Sequence, residues 1–272
     1  MSSPGSSVAA LHGRDLCQRT VSYDERDAAL YALAVGAAAT ELSLIYERDL
    51  RVLPTFALTL GLWAVWDTHA LGAYDPNTPL HISQHLEMTE PLPPSGTVAM
   101  RAQITRVWDK GSAVVIEVEV RAREFRAVYG IYVPAVGGWG GERGPTRVRA
   151  ERPAEPEVSS LIPSCATQAA LYRLTGDRHR IHIDPEVAAA NGFARPILHG
   201  LCTLGMAALG LARAIGEHPA DLRELSAAFT APVLPGDCLL LRAWRDADAW
   251  AFDAAVGGAG VLSNGRARFA NQ

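Results

Sequence analysis

Two segments of this chain read as helices with almost no polar side chains, residues 55–66, apolar all round, and residues 201–215. A helix of that kind has no face for water and must be wrapped by other elements. Each is followed by a run of strand-like segments, so each demands a sheet curled around it. The first is followed by alternating residues 81–88, a Pro-Gly break at 91–96, residues 98–107 and 113–122 about the turn Asp109-Lys110-Gly111, and residues 127–133. The second is followed by residues 225–230, the break Pro232–Asp237, and residues 238–244, 250–256 and 260–269. A shorter helix precedes each apolar one, at residues 28–38 behind an acidic first turn and at residues 167–174. Residues 41–46 alternate and read as a short strand. The order of helix, buried helix and antiparallel strands, used twice, predicts an α+β fold made of two similar units.

The division expected is a first unit at residues 1–135, a linker at 136–160 and a second unit at 161–272. The linker contains Gly137-Gly138-Trp139-Gly140-Gly141, but no Gly-Lys-Ser/Thr follows and no strand and helix frame it, which rejects a phosphate loop. Hydrophobic residues make up 49% of the chain, enough for two full cores. A formal net charge of −4 without a basic run argues against nucleic acid as a partner. No apolar run is long and clean enough for a membrane span, and residues 1–8 lack the pattern of a signal peptide. The cysteines, Cys17, Cys165, Cys202 and Cys238, are far apart in sequence and form no CxxC pair. That usage suits reduced thiols in the cytoplasm and gives no metal signature.

Chemistry concentrates in the loop ahead of the second apolar helix. Asp177 follows Gly176, and His182 follows five residues later, before the helix-start pair Asp184-Pro185. A carboxylate and an imidazole in one loop suit proton transfer at neutral pH. Base rates alone favour a turn aspartate and a surface histidine. Gly200 opens the apolar helix, where unpaired amides and the helix dipole favour developing negative charge; helix–sheet packing is an equal reading for this glycine. His199 reads as structural and Cys202 as core. His81 and His85 have a spacing open to a metal pair but no third ligand. Trp63 and Trp66 read as core residues.

Tyr172-Arg173-Leu174-Thr175-Gly176-Asp177, His182, Asp184-Pro185, Gly192-Phe193 and Pro196–Cys202 together resemble MaoC-like (R)-specific enoyl-thioester hydratases, also called hydratase 2. Val52–Phe56, the Pro91–Gly96 break and the Gly-Gly-Trp-Gly-Gly stretch extend the likeness across nearly the whole chain. The resemblance implies a double hot-dog fold, two curled antiparallel sheets each wrapping a helix. It also implies that Asp177 and His182 are the catalytic pair and hold the water that adds to a trans-2-enoyl thioester. The first half is then a groove for the acyl chain, without a catalytic loop of its own. The implied carrier is coenzyme A or an acyl carrier protein, and no cofactor or metal is expected. Monomer and homodimer both fit a chain that already contains the hot-dog pair.

The family loop usually reads Gly-Asp-x-Asn-Pro-x-His, whereas this chain has His179 and Arg180 at the Asn and Pro positions. Drift with Arg180 facing solvent is one reading. In the other, His179 and Arg180 bind substrate, the arginine fork holding a carboxylate of the acyl group or of an amino acid that adds in place of water. The functions that follow are a hydratase or dehydratase, a conjugate-addition enzyme joining an amine such as glycine to a carrier-bound enoyl chain, and a non-catalytic acyl-thioester-binding protein.

Overall fold

The computed structural model describes residues 8–76, 78–146 and 152–270. Its strands are β1 (Asp15–Tyr23), β2 (Leu80–Met88), β3 (Gly96–Asp109), β4 (Ala113–Arg121) and β5 (Phe125–Pro134) in the first half. The second half contributes β6 (Val158–Pro163), β7 (Leu222–Phe229), β8 (Cys238–Asp246), β9 (Ala249–Val256) and β10 (Ala259–Phe269). They join in one 10-stranded antiparallel sheet of order β1-β3-β4-β5-β2-β7-β10-β9-β8-β6. Followed inward from either edge, each half uses its first, third, fourth, fifth and second strand. The repeat expected from the order of elements is therefore a repeat of topology, and the fold is a double hot dog. The halves meet where β2 pairs with β7, from Ser83 opposite Ala228 to Glu87 opposite Glu224.

Between the strands lie α1 (Glu25–Ala34), α2 (Leu42–Ile45), α3 (Phe56–Leu60), α4 (Trp63–His69), α5 (Gln168–Tyr172), α6 (Pro185–Ala190) and α7 (Gly200–Ile215). Asp24 starts α1 through a capping box: its side chain accepts the Asp27 amide at 3.0 Å, and Asp27 accepts that of Asp24 at 3.2 Å. The second apolar helix is α7, buried from Leu201 to Ala212 and closed by Gly216 in the left-handed region at φ 79°. Close approach depends on its glycines. A Cβ on Gly205 would stand 2.7 Å from Val35 Cγ1 and 3.0 Å from the Tyr31 hydroxyl, which is how α1 comes to lie against α7.

The first apolar helix departs from the sequence expectation, being interrupted between α3 and α4. The cause is the Tyr129 hydroxyl of β5, which donates to the Leu58 carbonyl at 2.7 Å. Deprived of that acceptor, the Leu62 amide turns back to Thr59 at 3.3 Å. A Cβ on Gly61 would lie 2.7 Å from the same hydroxyl, so glycine makes room for the insertion. Residues 41–46 also differ, forming the helix α2 rather than a strand. Leu44 is 2% exposed and Leu42 52%, an alternation that one helical turn produces as readily as a strand. The edge strand β1 is mostly exposed and β6 half exposed, and neither carries a clear apolar pattern. Residues 158–160 of the expected linker belong to β6.

The glycine-rich stretch does surround an anion, one that belongs to the chain. The Asp109 carboxylate accepts the amides of Gly111, Gly138, Gly140 and Gly141 at 2.9, 2.8, 2.9 and 3.2 Å. Those four donors hold its pKa down to about 2. The rejected phosphate loop is thus an internal cap on the β3–β4 turn.

Candidate active site

The loop leaves α5 through a 3-10 turn, Arg173–Thr175, and reverses at Gly176, whose φ is 138°. Only glycine adopts that backbone readily, and a Cβ there would stand 3.1 Å from Thr59 Cγ2 of the first half. Asp177 is 9% exposed, and its Oδ1 accepts the His179 amide at 3.2 Å. Burial raises its pKa, partly opposed by that amide and by the neighbouring His179. A second 3-10 turn, Arg180–His182, then presents His182. His182 Nδ1 lies 2.9 Å from the Ile197 carbonyl. A carbonyl only accepts, so the proton resides on Nδ1 and Nε2 is left with its lone pair. Desolvation holds this imidazole at about 4, against the raising effect of that hydrogen bond. His182 is therefore neutral at physiological pH and competent as a base.

α7 begins beside the pair. Gly200 is its first residue and His199 its N-cap, whose side chain makes no capping bond. The first amides of the helix point away from it without intrahelical acceptors. A Cβ on Gly200 would lie 3.3 Å from the Phe229 ring, so the packing reading of this glycine holds alongside the oxyanion one. His199 is 1% exposed, stacks on His182 at 3.7 Å between ring centroids, and donates from Nε2 to the Asp177 carbonyl at 3.1 Å. It belongs to the site. Its position just before Gly200 was the only signal for this in the sequence.

Comparison with known proteins gives the family. Residues 21–128 match the profile described as MFE-2 hydratase 2 N-terminal domain, and residues 148–263 the profile described as MaoC like domain. Enoyl-CoA hydratase ChsH3 of Mycobacterium tuberculosis is 36% identical over 241 residues, covering 83% of this chain and 84% of that protein. This chain belongs to the MaoC-like hydratase 2 family. The peroxisomal enoyl-CoA hydratase 2 of Arabidopsis thaliana is 32% identical over 256 residues, 83% of this chain and 82% of its own. A crystal structure of a MaoC-like dehydratase from Phytophthora capsici superposes with a TM-score of 0.85 at 25% identity, covering 96% of this chain and 97% of the other.

Against the hydratase 2 loop pattern, His179 and Arg180 play separable parts. His179 Nδ1 accepts the Ile181 amide at 3.3 Å, holding the turn together. Its ring lies parallel to Trp66, 9° between planes and 5.5 Å between centroids. Trp66 is 37% exposed, whereas Trp63 is 6% exposed. The core reading thus holds for Trp63 and fails for Trp66, because α4 turns that indole out over the loop. Trp66, Gly176, Arg178, His179, Arg180, Val187 and Asn191 line a cavity of about 420 Å³. The Arg180 guanidinium is exposed and bonds Asp184 at 2.6 Å, so the carboxylate it holds here is the chain's own.

The remaining candidates lie apart from this chemistry. His81 packs on Tyr129 and Phe229 and bonds the Ser83 carbonyl at 3.0 Å, while His85 pairs with Glu87 at 3.0 Å. Among the described residues, the cluster of metal-capable side chains is Asp177, His182 and His199 instead. Cys202 is buried and directs its thiol to the Ala34 carbonyl at 3.4 Å, as a core residue would. No helix among the described residues is long and apolar enough to cross a membrane.

Proposed function

We propose that this protein adds water across the double bond of trans-2-enoyl-CoA thioesters, giving (R)-3-hydroxyacyl thioesters, and catalyses the reverse dehydration. The observation that carries the reading is the fixed tautomer of His182, a neutral imidazole with only Nε2 free. His182 Nε2 takes one proton of the water as the oxygen bonds the β-carbon. The double-bond electrons move to the thioester oxygen, met by the Gly200 amide at the dipole-positive end of α7. The imidazolium then returns that proton to the α-carbon, restoring the base. Asp177, buried beside it, stabilises the transient positive charge.

The first half, residues 1–135, supplies a wall of the acyl groove through Trp66, and residues 161–272 supply the catalytic loop across the linker 136–160. Coenzyme A is the carrier we favour over a carrier protein, in keeping with the names of the relatives. In the linker, Arg143, Arg147 and Arg149 carry the charge that suits the phosphates of coenzyme A, the last two lying outside the described residues. Free Cys17, Cys165, Cys202 and Cys238 suit a reducing compartment such as the cytoplasm. Amine addition has less support, because the Arg180 fork that motivated it is engaged with Asp184.

The test is the loss of conjugated-thioester absorbance on adding the protein to trans-2-butenoyl-CoA, with chiral analysis of the product, with and without glycine. An (R)-3-hydroxy product insensitive to glycine is expected. No turnover, an (S) product or an amine adduct would refute the reading.

A further inference from the structure

We propose that His199 is a catalytic residue that holds the attacking water through Nδ1, a role that rests on the hydratase reading above. One carboxylate oxygen of Asp177 and one ring nitrogen each of His182 and His199 lie within 4.8 Å of one another. Ligands placed tetrahedrally around a metal ion at ~2.1 Å would stand about 3.4 Å apart. Groups bonded to one water at ~2.8 Å stand about 4.6 Å apart. The 4.8 Å bound on the cluster leaves room for a water, whose two O–H bonds serve two of these acceptors.

Within it, His199 is unusual in what it leaves unused. Its Nε2 is committed to the Asp177 carbonyl at 3.1 Å, and a carbonyl cannot donate, so the ring proton is on Nε2. Nδ1 is then a bare acceptor, buried and without a hydrogen-bond partner in the protein. Burial and the neighbouring His182 hold the ring neutral, with a pKa of about 2. The face of this ring lies against His182, the base.

The chemistry has a use for such an acceptor. In hydration one O–H bond of the water breaks, its proton passing to His182 Nε2 while the oxygen forms the bond to the β-carbon. The other O–H stays intact and becomes the product hydroxyl. Donated to His199 Nδ1, that second O–H fixes the orientation of the oxygen lone pair that attacks.

Two substitutions separate this role from the pinning of Asp177. In His199→Gln an amide reaches the Nε2 position and keeps the donor to the Asp177 carbonyl, but Nδ1 has no counterpart. In His199→Asn a polar group remains at the Nδ1 position and the pin is lost. Hydration of trans-2-butenoyl-CoA, binding of the saturated butanoyl-CoA by calorimetry, and Tm are measured for each. The glutamine variant is expected to lose at least about tenfold in kcat while its KM and butanoyl-CoA affinity stay within about twofold. The asparagine variant is expected to have the higher kcat of the two despite a lower Tm. A glutamine variant within about twofold of the parent kcat overturns the role, as does a parallel fall of kcat, affinity and Tm in both variants. If the glutamine variant does not fold, His199→Asn is compared with His199→Ala, and equal kcat values overturn it. Absence of hydratase activity in the unaltered protein overturns the hydratase reading and this role with it. Loss of activity in Asp177→Asn beside full activity in His199→Gln overturns this role alone.

Discussion

Acidification should unfold this protein through its buried neutral histidines. His182 and His81 are each held at about 4 and His199 at about 2, chiefly by desolvation. In the unfolded chain each titrates near 6.5. The folded values lie below the unfolded one, so as pH falls through 6.5 the unfolded chain takes up protons that the folded chain refuses. Stability is fully present above that pH and is lost below it. Between pH 7 and pH 5 each such histidine removes about 1.8 kcal/mol, and the three about 5 kcal/mol, comparable to the whole stability of many domains. His69, also held at about 4, acts in the same direction. Asp177 opposes them, because its raised pKa lets the folded chain bind a proton as pH falls. Urea unfolding at pH 7 and pH 5 measures the difference. His81→Gln should remove about 1.8 kcal/mol of it. Equal midpoints at the two pH values, or an unchanged pH dependence in that variant, would refute the reasoning.

Other expectations follow from single contacts. Asp177→Asn should lower kcat by about 10²–10⁴-fold while leaving Tm equal or higher, since a desolvated charge is removed; kinetics and melting curves read both. Trp66→Ala should raise KM more than it lowers kcat, because it opens the wall stacked on His179; Michaelis plots with butenoyl- and longer enoyl-CoA substrates test this. Gly205→Ala should destabilise by about 1–3 kcal/mol in denaturant titration despite the better helix propensity of alanine, since its methyl group meets Val35 and Tyr31. Tyr129→Phe strands the Leu58 carbonyl and should cost about 1–3 kcal/mol in the same assay.

The strands that were legible in the sequence lie mostly inside the sheet, where burial on the core face imposes an apolar pattern. β4 is almost wholly buried and could be read directly. β1 and β6 are edges, with one neighbour each and exposed residues such as Leu161 at 69%, so local pattern did not mark them. The break between α3 and α4 was also hidden. It depends on a hydroxyl that arrives from Tyr129, 71 positions from Leu58 in the chain.

For the site, Asp177 and His182 were marked by the resemblance to the hydratase 2 loop and Gly200 by its place at the start of an apolar helix, whereas the loop pair alone favoured a turn aspartate and a surface histidine. The sequence by itself also determined the doubled architecture, since two largely apolar segments, each followed by a run of strands, have to be enclosed. Only the tertiary structure decided which nitrogen of His182 carries the proton, because that depends on the Ile197 carbonyl beside its Nδ1. It likewise drew His199 into the site and turned Trp66 over the loop, neither of which a local pattern records. Those outcomes are set by which groups from distant segments meet in a desolvated space, where a single hydrogen bond fixes a tautomer and a ring has one place to lie.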